Sequence, residues 1–358
     1  MVHENMMKTN IAIIGGGLAG LSLAQRLNKA GLDFQLFEAR DRLGGRIKAH
    51  HQADAGYDLG PAWFWSGQSR MEALIADLGL TRFEQYATGD QLFETENGQV
   101  MRDHGFASMQ GSWRVDGGMG KLIEGIAETL PKDHIHTQFI AETIDHDAGI
   151  SFANGKTCQA QQVVFALPPR LVADLTITPS LDQTQIDSMR AISTWMAGHA
   201  KILALYEKPF WREAGLSGDA SSRYGPMVEI HDASPNTAQS SAALFGFLGV
   251  PAPHRRNNDQ AILAAVQAQL IRLFGEDAAK PIELIYEDWA YQPHTANALD
   301  HAPLRHHPHY GLPEALKNLA DRNLHLCVTE VAPEMGGYLE GALAAAEATA
   351  DALINNDG

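Results

Sequence analysis

Close to its start the chain reads Ile11-Ala-Ile-Ile-Gly15-Gly16-Gly17-Leu18-Ala19-Gly20. An apolar run breaks into glycine and resumes as an amphipathic segment carrying Leu18, Leu21, Leu23 and Leu27. That order, strand then tight turn then helix, is the context in which G-x-G-x-x-G holds a dinucleotide. Gly15 permits the turn, Gly17 lets backbone approach a pyrophosphate, and Gly20 lets helix and strand pack closely. The pyrophosphate then rests on the helix start at Leu18 and Ala19, where free N–H groups and the helix dipole favour negative charge. Glu38, eighteen residues past Gly20, ends the strand Asp33-Phe-Gln-Leu-Phe-Glu38 and is placed to accept hydrogen bonds from ribose hydroxyls.

A length of 358 residues exceeds one ordinary core, so two domains are expected. The 27 basic against 43 acidic residues give a net charge of −16, which argues against nucleic acid or an anionic membrane as partner. The first eight residues lack the apolar stretch of a signal peptide, and no apolar run is long enough to span a membrane. Cys158 and Cys327 are the only cysteines and lie far apart, so no disulfide framework is indicated and a reduced, cytoplasmic setting fits.

Along the chain, a βαβ opening gives way to a short helix at 71–79 and a hairpin-like stretch turning at Glu96-Asn97-Gly98. Gly117-Gly118-Met119-Gly120 opens a helix from Lys121 to Leu130. Strands are expected at 134–137, 141–145, 150–153 and 163–166, with Asn154-Gly155 as a hairpin turn and Pro168-Pro169 ending the last. A second set follows, with strands at 201–206, 243–250 and 282–289 and a helix at 260–274. A strand at 324–328 and a helix from about Tyr338 close the chain. The expected fold is α/β: a Rossmann-like nucleotide domain (1–69, 113–172 and 295–358) interrupted by a smaller α+β substrate domain (70–112 and 173–294).

Beyond the ribose-binding acid come Ala39-Arg40 and a second glycine pair with arginine, Arg42-Leu43-Gly44-Gly45-Arg46. This stretch resembles the flavoprotein form of the motif, which implies FAD. The chain as a whole resembles the flavin-containing amine oxidase family, whose best-known member is monoamine oxidase. Asp58-Leu59-Gly60-Pro61-Ala62-Trp63 is similar to that family's flavin-contacting turn, and Val115-Asp116-Gly117-Gly118-Met119 to its G-G-M helix start. Val163–Pro169, which includes Ala166, resembles the return strand to the nucleotide domain, and Lys201–Trp211 resembles the K-x(7)-P-F-W strand. Trp289 fits the flavin-flanking tryptophan, and Thr329-Glu330 with Gly337-Tyr338-Leu339-Glu340-Gly341-Ala342 fits the closing signature.

The resemblance implies an FAD contacted along these motifs and at Ile140, expected to be non-covalent because no cysteine stands at the family's covalent position, with the helix opening at Gly337 aimed at the flavin edge that becomes negative on reduction. Glu330 is expected at the ribityl or phosphate region. Lys201, too apolar in its neighbours for a casual lysine, corresponds to the lysine that holds a water at flavin N5 and is linked to reaction with oxygen. Tyr338 corresponds to one wall of an aromatic cage that orients the amine nitrogen. The implied activity is removal of hydride from the C–N bond of a small amine, with O2 as acceptor giving imine or aldehyde and H2O2; Lys201, Trp289 and Tyr338 are the catalytic candidates.

Departures keep other chemistries open. The family's covalent cysteine and second cage aromatic would fall near Ala298 and Leu299, where neither residue type stands. Val328 replaces a usual glycine before Thr329-Glu330, and the first substrate-domain insert, 70–112, is short, which predicts a shallower or more open site. A renalase-like dihydronicotinamide oxidase, another flavin desaturase or oxidase, and a non-catalytic FAD-binding protein remain alternatives, as does a homodimer. His301, His306, His307 and His309 do not match the usual zinc spacings and read as a histidine-rich surface loop, so no metal is expected.

Overall fold

The computed structural model of the protein describes residues 6–52, 55–105, 107–146, 149–236, 241–302, 304 and 306–356, so the first five residues of the opening peptide lie outside it. Strand Met6–Ile14 runs through the middle of an eight-stranded sheet, parallel to Phe34–Phe37 on one side and Thr157–Phe165 on the other. Ala12, Ile13 and Leu36 are wholly buried, because a parallel strand covered on both faces needs apolar side chains at successive positions. Helices Leu18–Ala30 and Leu339–Asn356 cover one face through Leu21, Leu27, Ala346 and Leu353. Phe139, Phe152, Val172 and Leu319 form a second core on the same sheet.

A seven-stranded sheet is built around Ala200–Tyr206, Ala242–Leu248 and Met227–Asp232, with Asp90–Glu94 and Val100–Arg102 at one edge. Alternation sorts the central strand. Ile202, Ala204 and Tyr206 pack beneath helix Asp259–Phe274 with Val266 and Leu270. Leu203 and Leu205 turn the other way, onto Tyr57 and Leu59 of the nucleotide-binding segment. Lys201 shares that second face, so the register of one strand delivers it to the seam between the two sheets.

Several elements depart from the sequence reading. The strand expected at 163–166 begins at Thr157, and the one expected at 324–328 ends at Leu326, before Val328. Trp289 lies beyond the strand Glu283–Asp288, in a one-turn helix Trp289–Tyr291 that the Asp288 carboxylate caps. Strands Ala49–Gln52, Ala55–Asp58, Leu216–Ser222 and Met227–Asp232 were not anticipated. Residues 176–178, grouped by sequence with the second domain, form an edge strand of the first sheet, and Leu181 and Met189 bury in its core. Three residues with one buried side chain leave too little pattern to read; we propose that the division falls near residue 192.

Candidate active site

One cavity of about 720 Å³ runs along the seam, bordered at one end by Gly15 and Gly17 and at the other by Lys201, Glu229 and Tyr338. The first end is backbone. Gly15 sits at φ 114°, in the left-handed region, and a Cβ there would meet Ala166 O at 2.6 Å. Gly20 does not line the cavity; a Cβ on it would meet Gly15 O at 2.0 Å, so it is the residue that lets helix and turn close up. Gly17 begins the helix without any side-chain cap, which leaves the first N–H groups unclaimed. A Cβ at Gly17 would meet no protein atom nearer than 3.9 Å although Gly17 borders the cavity. Free donors, a positive helix end and room against the backbone fit a dinucleotide pyrophosphate.

Gly44 donates to Gly16 O at 2.8 Å, which lays the second glycine pair beside the first. The Glu38 carboxylate accepts from Gly16 N at 2.8 Å and Arg40 N at 2.9 Å, so it ties two strand ends together while lining the cavity. Arg40 donates to Thr295 Oγ1 at 2.5 Å and to Pro293 O. Leu18, Ala19, Ala39, Gly45, Ile140 and Ala166 also border this end. Glu330 does not. It is fully buried and paired with Arg46 at 2.5 and 3.2 Å, and it is Arg46 that reaches the cavity. The expected contact of Glu330 with cofactor is therefore indirect. Its charge raises the pKa of Arg46 against the opposing effect of burial, fixing a cation on the wall.

At the other end Lys201 is 6% exposed. Its ammonium donates to Gly60 O and lies 4.8 Å from the Phe245 ring centre, 5.0 Å from Phe247 and 5.8 Å from Trp63. Burial pulls its pKa down to about 8, with Asp58 opposing and Arg114 assisting. Asp58 is itself pushed up to about 6 by burial, partly offset by Arg114, by the Met119 N–H and by Lys201. Trp289 is held by its indole N–H on Leu59 O at 2.9 Å, and Trp63 by its own on Gln85 at 2.9 Å. Gly60, Pro61, Ala62, Gly337, Leu339 and Ala342 complete this wall from two distant segments.

Tyr338 stacks on His307 at 4.9 Å with planes 15° apart, and Trp65 stands edge-on to it at 6.3 Å. His307 in turn lies 5.0 Å from Trp195. One histidine of the supposed surface loop is thus half-buried in an aromatic cluster, although no metal-holding group of residues occurs among the described residues. Leu299 is half exposed and does not border this cavity, so the position counted as the missing cage aromatic does not face it. Trp65, Met109, Trp195, His199, Glu229 and Phe247 line it instead, and sequence reasoning missed all six. Only Glu229 left a trace, as a charge in the alternating run Val228-Glu229-Ile230-His231. Both cysteines are buried, unpaired and away from the cavity, so no thiol is placed to bond a flavin.

The profile of the family described as flavin containing amine oxidoreductase matches residues 18–105 and 94–354. A putrescine oxidase of Kocuria rosea is 22% identical, over 82% of this chain and 85% of its own length. Among solved structures, putrescine oxidase bound to putrescine superposes with a TM-score of 0.81 at 21% identity, over 98% of this chain and 100% of the other. Cyclohexylamine oxidase from Brevibacterium oxydans gives 0.79 at 19% identity, over 97% and 99%. At such identities the structural likeness speaks for the fold.

Proposed function

The chain belongs to the flavin containing amine oxidoreductase family, and on that premise we propose that it oxidises a small amine at the carbon beside nitrogen, with FAD held non-covalently along the cavity. The observation that carries this reading is the single cavity joining the uncapped glycine cradle to the buried Lys201. Bound FAD supplies the two-electron acceptor for the departing hydride, and dioxygen takes the electrons onward to give peroxide. The chain's own residues supply the surroundings. Aromatic walls at Trp63, Phe247, Trp289 and Tyr338 exclude water and favour the neutral amine, whose α-C–H is then free to react. Lys201, charged below about pH 8, stabilises negative charge passing to dioxygen. The imine product hydrolyses to an aldehyde.

Two buried, unpaired thiols support a reduced, cytoplasmic setting. The test is anaerobic: the purified yellow protein is mixed with a panel of primary and secondary amines while its flavin absorbance is followed. Bleaching by at least one amine, with colour released on acid precipitation, is the expected result. A protein that retains no flavin, or whose flavin no amine bleaches, overturns the reading.

A further inference from the structure

Hydride can leave the carbon beside nitrogen only when that nitrogen is neutral, because its lone pair must close the C=N bond. An alkylamine, like the lysine side chain, holds its proton up to about pH 10.4, so at neutral pH it arrives as an ammonium. A proton acceptor at the Lys201 end would open the whole amine pool to reaction rather than its small neutral fraction. Most titratable groups of the cavity are already committed. The Lys201 ammonium is a donor, spent on Gly60 O. Glu229 borders the cavity, but Ser108 and His231 both donate to its Oε1, and Asp219 anchors the histidine from its other side at 2.7 Å. The bond from His231 holds the Glu229 carboxyl below the usual carboxylate range, which makes it a poor base. His294 belongs to the glycine end, between the Pro293 carbonyl and the Thr295 hydroxyl that Arg40 holds.

His199 is free. It stands two residues before Lys201, about 7 Å along extended chain, and borders the same cavity. Its backbone is fixed on both sides, the N–H donating to Met196 O at 3.1 Å and the carbonyl accepting from Trp289 N at 3.1 Å. The ring stands edge-on to Phe247 at 6.3 Å, bonds to none of the described residues, and has neither nitrogen sealed from space. Burial lowers its pKa, and the charges of Arg255 and Lys201 lower it further, although Asp288 meets Arg255 at 2.7 Å. At pH 7 the ring is therefore a neutral imidazole with one lone pair to offer. The same burial and the same Lys201 charge depress a bound ammonium, which brings donor and acceptor closer in pKa. His199 also borders a small chamber of about 10 Å³, the room of one water. Arg170 and Asp300 pair on its wall, and the buried Thr194 hydroxyl there has no partner among the described residues. Resting on the amine reading above, we propose that His199 takes the proton of the arriving ammonium. The ammonium N–H bond breaks, its electron pair stays on nitrogen, and the proton forms an N–H bond on the ring. The C–H electron pair then leaves as hydride for the bound flavin, and the nitrogen pair closes the C=N bond.

The anaerobic holoenzyme is mixed with saturating amounts of the panel amine that bleaches it fastest, from pH 5.5 to 9.5, in the wild type and in His199→Gln, which keeps a polar side chain but cannot take a proton. The wild-type rate should fall only below a midpoint under pH 6.5, where the ring becomes charged. His199→Gln should be about a hundredfold slower at pH 7, the low end of what a positioned base contributes. Its rate should climb with pH and come within about threefold of the wild type at pH 9.5, where much of the amine is neutral without help. A merely loosened fold would slow reduction at every pH. Histidine ring signals of the holoenzyme, followed by NMR without amine, should include one that titrates below 6.5 and is missing from the variant. A His199 ring still charged at pH 7, or parallel rate profiles in the two proteins, overturns the assignment and leaves the amine reading standing. A wild type that no amine bleaches overturns the amine reading, and the role of His199 falls with it.

Discussion

The cradle from Gly15 to Arg46 is one short stretch of chain that works through backbone, whereas the chamber around Lys201 takes its walls from Trp63, Glu229, Phe247, Trp289 and Tyr338. In the cradle a side chain is an obstacle: the demand is that Cβ atoms be absent where turn, helix and return strand meet. In the chamber the side chains are the site, and each is aimed by an element with its own reasons to fold. Lys201 faces the seam because its strand alternates, Trp289 because its indole is tethered to Leu59 O, and Glu229 because Phe247 sets its register. The cradle should therefore fail by steric exclusion and the chamber by changes of charge.

The largest effect should come from Gly20→Ala, since the new methyl would press on backbone at 2.0 Å that no rotamer can relieve. A loss of about 3 kcal/mol, at the top of the overpacking range, should appear in thermal unfolding together with loss of bound flavin. An alanine variant that keeps both would end the claim that the cradle is sterically closed. Arg46→Met strands the buried Glu330 carboxylate without its partner. About 3 kcal/mol is expected there too, set at the low end because 30% of the arginine side chain is exposed. The double variant Arg46→Met, Glu330→Gln should recover much of it.

Chamber variants should separate chemistry from stability. Lys201→Met should slow flavin reoxidation by dioxygen about a hundredfold, the effect of removing one preorganised charge, while anaerobic reduction by amine falls less. In the unaltered protein reoxidation should decline as pH rises through about 8, where the lysine loses its proton, and the variant should show no such step. Stability should move the opposite way. The folded pKa of about 8 lies below lysine's ordinary value of 10.5, so the fold weakens as pH falls between them and bears the full cost at pH 7. Lys201→Met should accordingly melt at the same temperature or higher at pH 7, by calorimetry. The smallest effect is expected for Tyr338→Phe. The hydroxyl makes no hydrogen bond among the described residues while the ring stacks on His307, so rates should stay within about twofold. A larger loss would mean that the hydroxyl, not the ring, meets the substrate.

How much of this was legible in sequence follows from the same contrast. The glycine pattern and Glu38 could be read directly, because their geometry is imposed by neighbours a few residues away. Lys201, Trp289 and Tyr338 were found through motif resemblance, and each does border the cavity. Glu330 was expected to reach the cofactor through its side chain or its backbone neighbours; its side chain is buried on Arg46, and it is the neighbouring Val328 and Thr329 that border the cavity. Leu299 misled. The turn Ala298–Asp300 is held away from the cavity by its own capping box and by Asp300 bonded to Arg170, so counting along the chain gave the wrong wall.

The sequence by itself determined the dinucleotide cradle, the family and the lysine, since turns, glycine clearances and strand alternation act over short stretches of chain. Only the tertiary structure decided that Trp65, Trp195 and Phe247 border the same cavity as Lys201 and that Glu229 leans on a buried His231 and Asp219. Those partners meet because strand register across a sheet brings residues far apart in the chain onto one face, and register is fixed by the packing of the whole core.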